Sequence, residues 1–235
     1  MSNIYQLLVK HLVQKSLLIV FTITLFGNSY GQSREFIRES IQKYGECRNV
    51  AITERNGDLM LYGRNGYATN GCPSELYQAL KDLNNQKVYI DDVQLTEGGD
   101  WLILYDINGI RWSNIPYSLE KKLKQFNNNQ EEITSVTFND GGDWVVITTE
   151  HISASADWIQ DWLVEGLNRH GQLWAVCITS DTMVAVYEKG YKFYGNVPSE
   201  LRNALRDTKL NVYRLKIAGD SWFFADKNGR YQYHM

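Results

Sequence analysis

Cysteine and histidine are scarce in this chain, and neither sign of charge is in excess. Three cysteines among 235 residues exclude a dense disulfide scaffold. Their odd number leaves at least one thiol unpaired within the chain. Cys47 and Cys177 both fall in first-strand positions of the repeats described below, which leaves a bridge between them open. Small buried apolar residues are the plainer reading. Lys and Arg total 24 against 27 Asp and Glu, and no basic stripe is visible, so a nucleic-acid surface is not expected. Beyond residue 31 no apolar run is long enough to span a bilayer. Past that point the only histidines are His151, His170 and His234. Gly-x-Ser-x-Gly, His-Glu-x-x-His, a phosphate loop and Cys-x-x-Cys are all missing, and His170 with Cys177 lacks a third residue to orient the ring. No catalytic set, metal site or cofactor is therefore expected.

One long apolar run is present, near the start. Lys10, His11 and Lys15 precede an uncharged stretch, Ser16 to Phe26, and the small residues Ser29 and Gly31 follow it. This order reads as a secretory signal peptide over residues 1–31, cleaved near Gly31 to leave Gln32 first. The run is about half the roughly 20 residues that a spanning helix needs. The mature chain, 32–235, is then expected to be exported, periplasmic or extracellular, as a single repeat domain.

What fills that domain is a recurring phrase. Gly98-Gly99-Asp100-Trp101-Leu102-Ile103 returns as Gly141-Gly142-Asp143-Trp144-Val145-Val146, with weaker copies at Asn56-Gly57-Asp58, Asp181-Thr182-Met183 and Gly219-Asp220-Ser221-Trp222. The spacing is roughly forty residues, as in repeat architectures. Before each phrase stands an alternating apolar pair: Val50/Ile52, Val93/Leu95, Val136/Phe138, Val176/Ile178 and Leu215/Ile217. Such alternation predicts a strand. After each phrase comes a second strand, then Asn65-Gly66, Asn108-Gly109, Lys189-Gly190 or Asn228-Gly229, which predict tight hairpins into a third. Pro73, Pro116 and Pro198 open helices, since proline suits a first helical turn. The third unit departs from the pattern: Glu150 and His151 replace the Asn-Gly turn, and its helix starts near Asp157 without proline.

The unit is strand–strand–strand–helix, and the chain is an α+β repeat of five units, at about 45–84, 86–127, 130–168, 171–208 and 210–235. Its first helix, 34–44, precedes all of them and its last element is a strand, so the helix is expected to complete the fifth unit. That predicts a closed, pseudo-five-fold ring, with an open α/β repeat array as the alternative. The periodicity resembles β-propeller-like repeat proteins, a helix replacing the outermost strand of each blade. The resemblance implies a rigid ring that binds ligands where loops converge.

Function is less legible. The recurring aspartates read as turn residues that bond their own backbone, and Trp101, Trp144 and Trp222 as core. Tyr67, Trp112 and Tyr194 lie at or beside one third-strand position, with Asn114 and Asn196 nearby. Aromatics framed by amides make them candidates for a ligand platform, and Glu150 with His151 marks the divergent loop. The leading expectation is a non-enzymatic binding module for a glycan or cell-envelope component. The alternatives are a protein–protein interaction scaffold and a secreted hydrolase working through the His151 loop.

Overall fold

The computed structural model describes residues 29–235; the expected leader lies, through residue 28, outside the described residues. Helix α1 (Ser29–Tyr44) comes first, followed by five three-stranded antiparallel sheets in simple sequential order. The first unit holds β1 (Asn49–Ile52), β2 (Asp58–Tyr62), β3 (Gly66–Asn70) and α2 (Ser74–Asn85). The second holds β4 (Ile90–Leu95), β5 (Trp101–Tyr105), β6 (Gly109–Ser113) and α3 (Tyr117–Asn128). The third holds β7 (Ile133–Phe138), β8 (Trp144–Thr148), β9 (Ile152–Ala154) and α4 (Asp157–His170). The fourth holds β10 (Leu173–Ile178), β11 (Thr182–Tyr187), β12 (Gly190–Gly195) and α5 (Ser199–Asp207). The fifth ends with β13 (Arg214–Ala218), β14 (Ser221–Ala225) and β15 (Tyr231–His234).

Local chemistry explains the punctuation, with three differences from expectation. Pro73, Pro116 and Pro198 stand one residue before their helices, in extended backbone with ψ of 139°, 134° and 133°. Their carbonyls accept the first helical bonds, from Tyr77, Glu120 and Arg202. The Asn-Gly hairpins of the first two units have three-residue loops rather than two, and Asp106 and Asn108 both take left-handed φ. The turn before the second strand is closed by the residue after the apolar pair. Thr96 Oγ1 accepts from Asp100 N and Asn139 Oδ1 from Asp143 N, while Gly99 and Gly142 supply φ of +90° and +87°. The capping group there is thus Thr96 or Asn139, not the recurring aspartate.

The core lies between units. Each middle strand is buried on both faces, which is why it reads as an unbroken apolar run. Leu102 and Leu104 of β5 pack with Leu119 and Leu123 of α3 against Val136 and Trp144 of the third unit. Trp101 and Ile103, on the other face of β5, join Leu76 and Leu80 of α2. The same arrangement recurs through the fourth and fifth units. The fifth cluster joins the two ends of the described chain: Ile37 and Ile41 of α1 pack with Val50, Met60, Phe223, Tyr231 and Tyr233. Trp101, Trp144 and Trp222 are buried. The three thiols are free, and Cys47 and Cys177 sit in different clusters.

First strands touch first strands. Strand β1 contacts β4, β4 contacts β7, β7 contacts β10, β10 contacts β13, and β13 contacts β1. Their apolar members face the cores, yet the polar residues between them are buried too: Asn49, Asp92, Ser135, Thr137 and Lys216. Lys216 Nζ donates to Asp92 Oδ1 at 2.7 Å and to the Val93 carbonyl at 3.0 Å. Asn49 and Gln94 amides donate to the two oxygens of the same carboxylate. A buried charge must be paired in this way or it is strongly destabilising.

Candidate functional site

Two cavities flank this buried polar layer, and the repeat defines both. Two residues before the first apolar position of each unit stand Arg48, Asp91, Thr134, Trp174 and Tyr213, and all five line a cavity of about 750 Å³. Two residues after the second apolar position stand Glu54, Glu97, Asp140, Ser180 and Gly219, and all five line a cavity of about 480 Å³. Because each first strand lends one end to each cavity, the two open at opposite ends of these strands.

The larger cavity is aromatic and charged. Trp174 and Tyr213 stack at 4.9 Å and 20°. The Arg214 guanidinium donates to both oxygens of Asp91, at 2.8 and 2.7 Å, and to the carbonyls of Thr134 and Tyr213. Arg48 lies over the Tyr89 ring at 4.6 Å and donates to the Tyr89 hydroxyl and to the carbonyls of Gly63, Arg64 and Ile90. Lys227 sits over Tyr213 at 4.2 Å.

The smaller cavity carries a relay between units. Glu97 accepts from the backbone N–H groups of Glu54 and Arg55, and Asp140 accepts from that of Gly98. Burial, reinforced by the neighbouring charges of Glu54 and Asp140, pushes the Glu97 carboxyl above the usual carboxylate range. Gly219 continues the pattern by lacking a side chain: a Cβ there would meet the Glu54 carboxylate.

The residues expected to form a platform lie on the third strands, in three separate sheets. Tyr67 pairs with Leu61, Trp112 with Leu102 and Tyr194 with Met183. Counted from the glycine that opens each third strand, these are three different positions. Tyr67 is half-buried, edge-on to Tyr77, and Trp112 is half-buried beneath Lys124. Tyr194 is 53% exposed and meets Trp158 of α4, itself 48% exposed, at 5.4 Å. Asn114 is exposed, directly after β6. Asn196 lines the smaller cavity, where its amide donates to Asp181 at 3.0 Å and chiefly accounts for holding that carboxyl below its usual range. Tyr67, Trp112, Asn114 and Tyr194 line neither five-unit cavity.

In the divergent loop, His151 pairs not with Glu150 but with Glu131, Nδ1 to Oε2 at 2.8 Å. Glu131 is buried and also accepts from Thr148 Oγ1 and Asn129. The His151 hydrogen bond is the main reason its carboxyl lies below the usual range. The Glu150 side chain is exposed, and its backbone N–H donates to Thr148 Oγ1.

Sequence reasoning missed Trp174, Tyr213, Tyr89 and the exposed Trp158. The first two carried a signal: the position two before the strand valine reads Arg, Asp, Thr, Trp and Tyr across the five units. No aliphatic residue occupies it. No family model and no curated protein matches the chain.

Proposed function

We propose that the chain is an exported, non-enzymatic binding module, a closed five-unit ring that holds a glycan or cell-envelope polymer on an aromatic platform at its rim. The observation that carries the binding reading is the pair Trp158 and Tyr194. Two large aromatic faces are each about half exposed and tilted 43° to one another. Such rings offer apolar stacking area with a polar tip. Closure is supported by the contact of β1 with β13, by the apolar cluster shared by α1, β14 and β15, and by the supply of both cavities from all five units. Export rests on the order of charged, apolar and small residues over 1–31.

The test is a glycan array and an insoluble cell-wall pull-down with the folded chain, together with Trp158→Ala and Tyr194→Ala. Both side chains are half exposed, so thermal unfolding should barely change while captured signal falls by about tenfold or more. An array that stays blank with folded wild-type protein would overturn the glycan reading, and capture unchanged in both variants would remove the platform from it.

A further inference from the structure

We infer that the larger five-unit cavity is a second ligand site, independent of the rim platform, and that its ligand is a small organic cation. The volume, about 750 Å³, suits a small molecule. Its charge is decided by which groups are already engaged. The Arg214 donors go to Asp91 and two carbonyls, and the Arg48 donors to three carbonyls and a hydroxyl. Neither guanidinium has a free fork with which to clamp an anion. Asp226, also on the wall, is engaged by Arg230 and by backbone N–H groups. The exposed charges that remain on the wall are the carboxylates of Glu46 and Glu132, with Asp106 accepting a single bond from Tyr89 N, against one ammonium, Lys227. A concave wall with a carboxylate excess focuses negative potential into the cavity.

The aromatic lining reinforces the same sign. Two of its three rings already hold a cation of the protein: Arg48 over Tyr89 and Lys227 over Tyr213. The third, Trp174, lies parallel to Tyr213, and no Lys or Arg among the described residues lies over it. Indole is the strongest cation–π acceptor among side chains. A primary or quaternary ammonium with a compact body would stack on Trp174, with Glu132 of the neighbouring unit as counter-charge. A neutral sugar ring would gain the stacking and leave the carboxylates unused.

Calorimetric titration of the full folded chain at fixed ionic strength tests this. The probes are choline, its uncharged carbon isostere dimethylbutanol, methyl glucoside and acetate. Choline should bind, with dimethylbutanol about tenfold weaker, in line with the strength of a desolvated cation–π contact, and with acetate silent. Trp174→Ala should weaken choline by about tenfold. Glu132→Gln, at an exposed position where folding is not at stake, should weaken it by several-fold, and Trp158→Ala should leave it unchanged. Equal binding of choline and dimethylbutanol, or binding of methyl glucoside in place of choline, would overturn the inference. So would silence from all four probes, or choline binding that is indifferent to both Glu132→Gln and Trp174→Ala.

Discussion

Gly166 shows how a single side chain can reverse a general rule. It sits inside α4, where glycine is ordinarily about 1 kcal/mol worse than alanine. Gly166→Ala should therefore stabilise, were the helix alone. A Cβ at this position, however, would come within 2.0 Å of the Tyr187 hydroxyl, which is buried and donates to the Leu163 carbonyl. Overpacking a filled core costs about 1–3 kcal/mol, so the substitution should destabilise by that amount in urea denaturation; a stabilised variant would show that the tyrosine yields freely. The residue scale is also where the sequence misled. Tyr67, Trp112 and Tyr194 look equivalent on a forty-residue count, but Tyr67 and Trp112 stand one and three residues into their strands after hairpin loops of equal length, and Tyr194 stands four residues in after a loop one residue shorter. One residue of register turns a side chain to the other face of a sheet. Equivalence held where no loop intervened, in the first strands.

Elements were the most legible part of this chain. The apolar pairs, the phrase Gly-Gly-Asp-Trp and the prolines located nearly every strand and helix, because each is a local steric or packing demand. The joints between units were not legible, because they are made by side chains reaching across. Asn108 is the clearest case: it reads as a turn residue and is one, with φ of +63°. Its amide also clamps the next unit, accepting from Ile133 N at 2.9 Å and donating to the Glu131 carbonyl at 2.7 Å. Asn108→Gly should lose only the clamp, about 1–2 kcal/mol for two hydrogen bonds. Asn108→Ala should lose more, since alanine pays about 1 kcal/mol in the left-handed region. Chemical denaturation that ranks the two variants equally would show that backbone conformation does not matter there. The burial of the polar alternates of the first strands was not legible for the same reason. Asp92 and Lys216 look like solvent-facing members of half-buried strands, yet each finds its partner more than a hundred residues away.

For the molecule as a whole, the decisive joint is the cluster that unites α1 with β14 and β15. Deleting 229–235 removes Tyr231, Tyr233 and Met235 from it. In a closed ring this exposes two interfaces at once and should abolish the cooperative unfolding transition of the whole domain. An open array would lose only its last unit, because array stability is a sum of neighbour terms. A truncated chain that melts near the wild-type temperature would exclude closure. The same cluster sets a timetable. Ile37 cannot meet Phe223 until roughly 190 more residues have been made, which at ribosomal speed is on the order of 10–40 s. Until then only the first sheet, through Val50 and Met60, can cover this helix from its own chain, and the part of its face that meets β14 and β15 stays bare or is covered by something else.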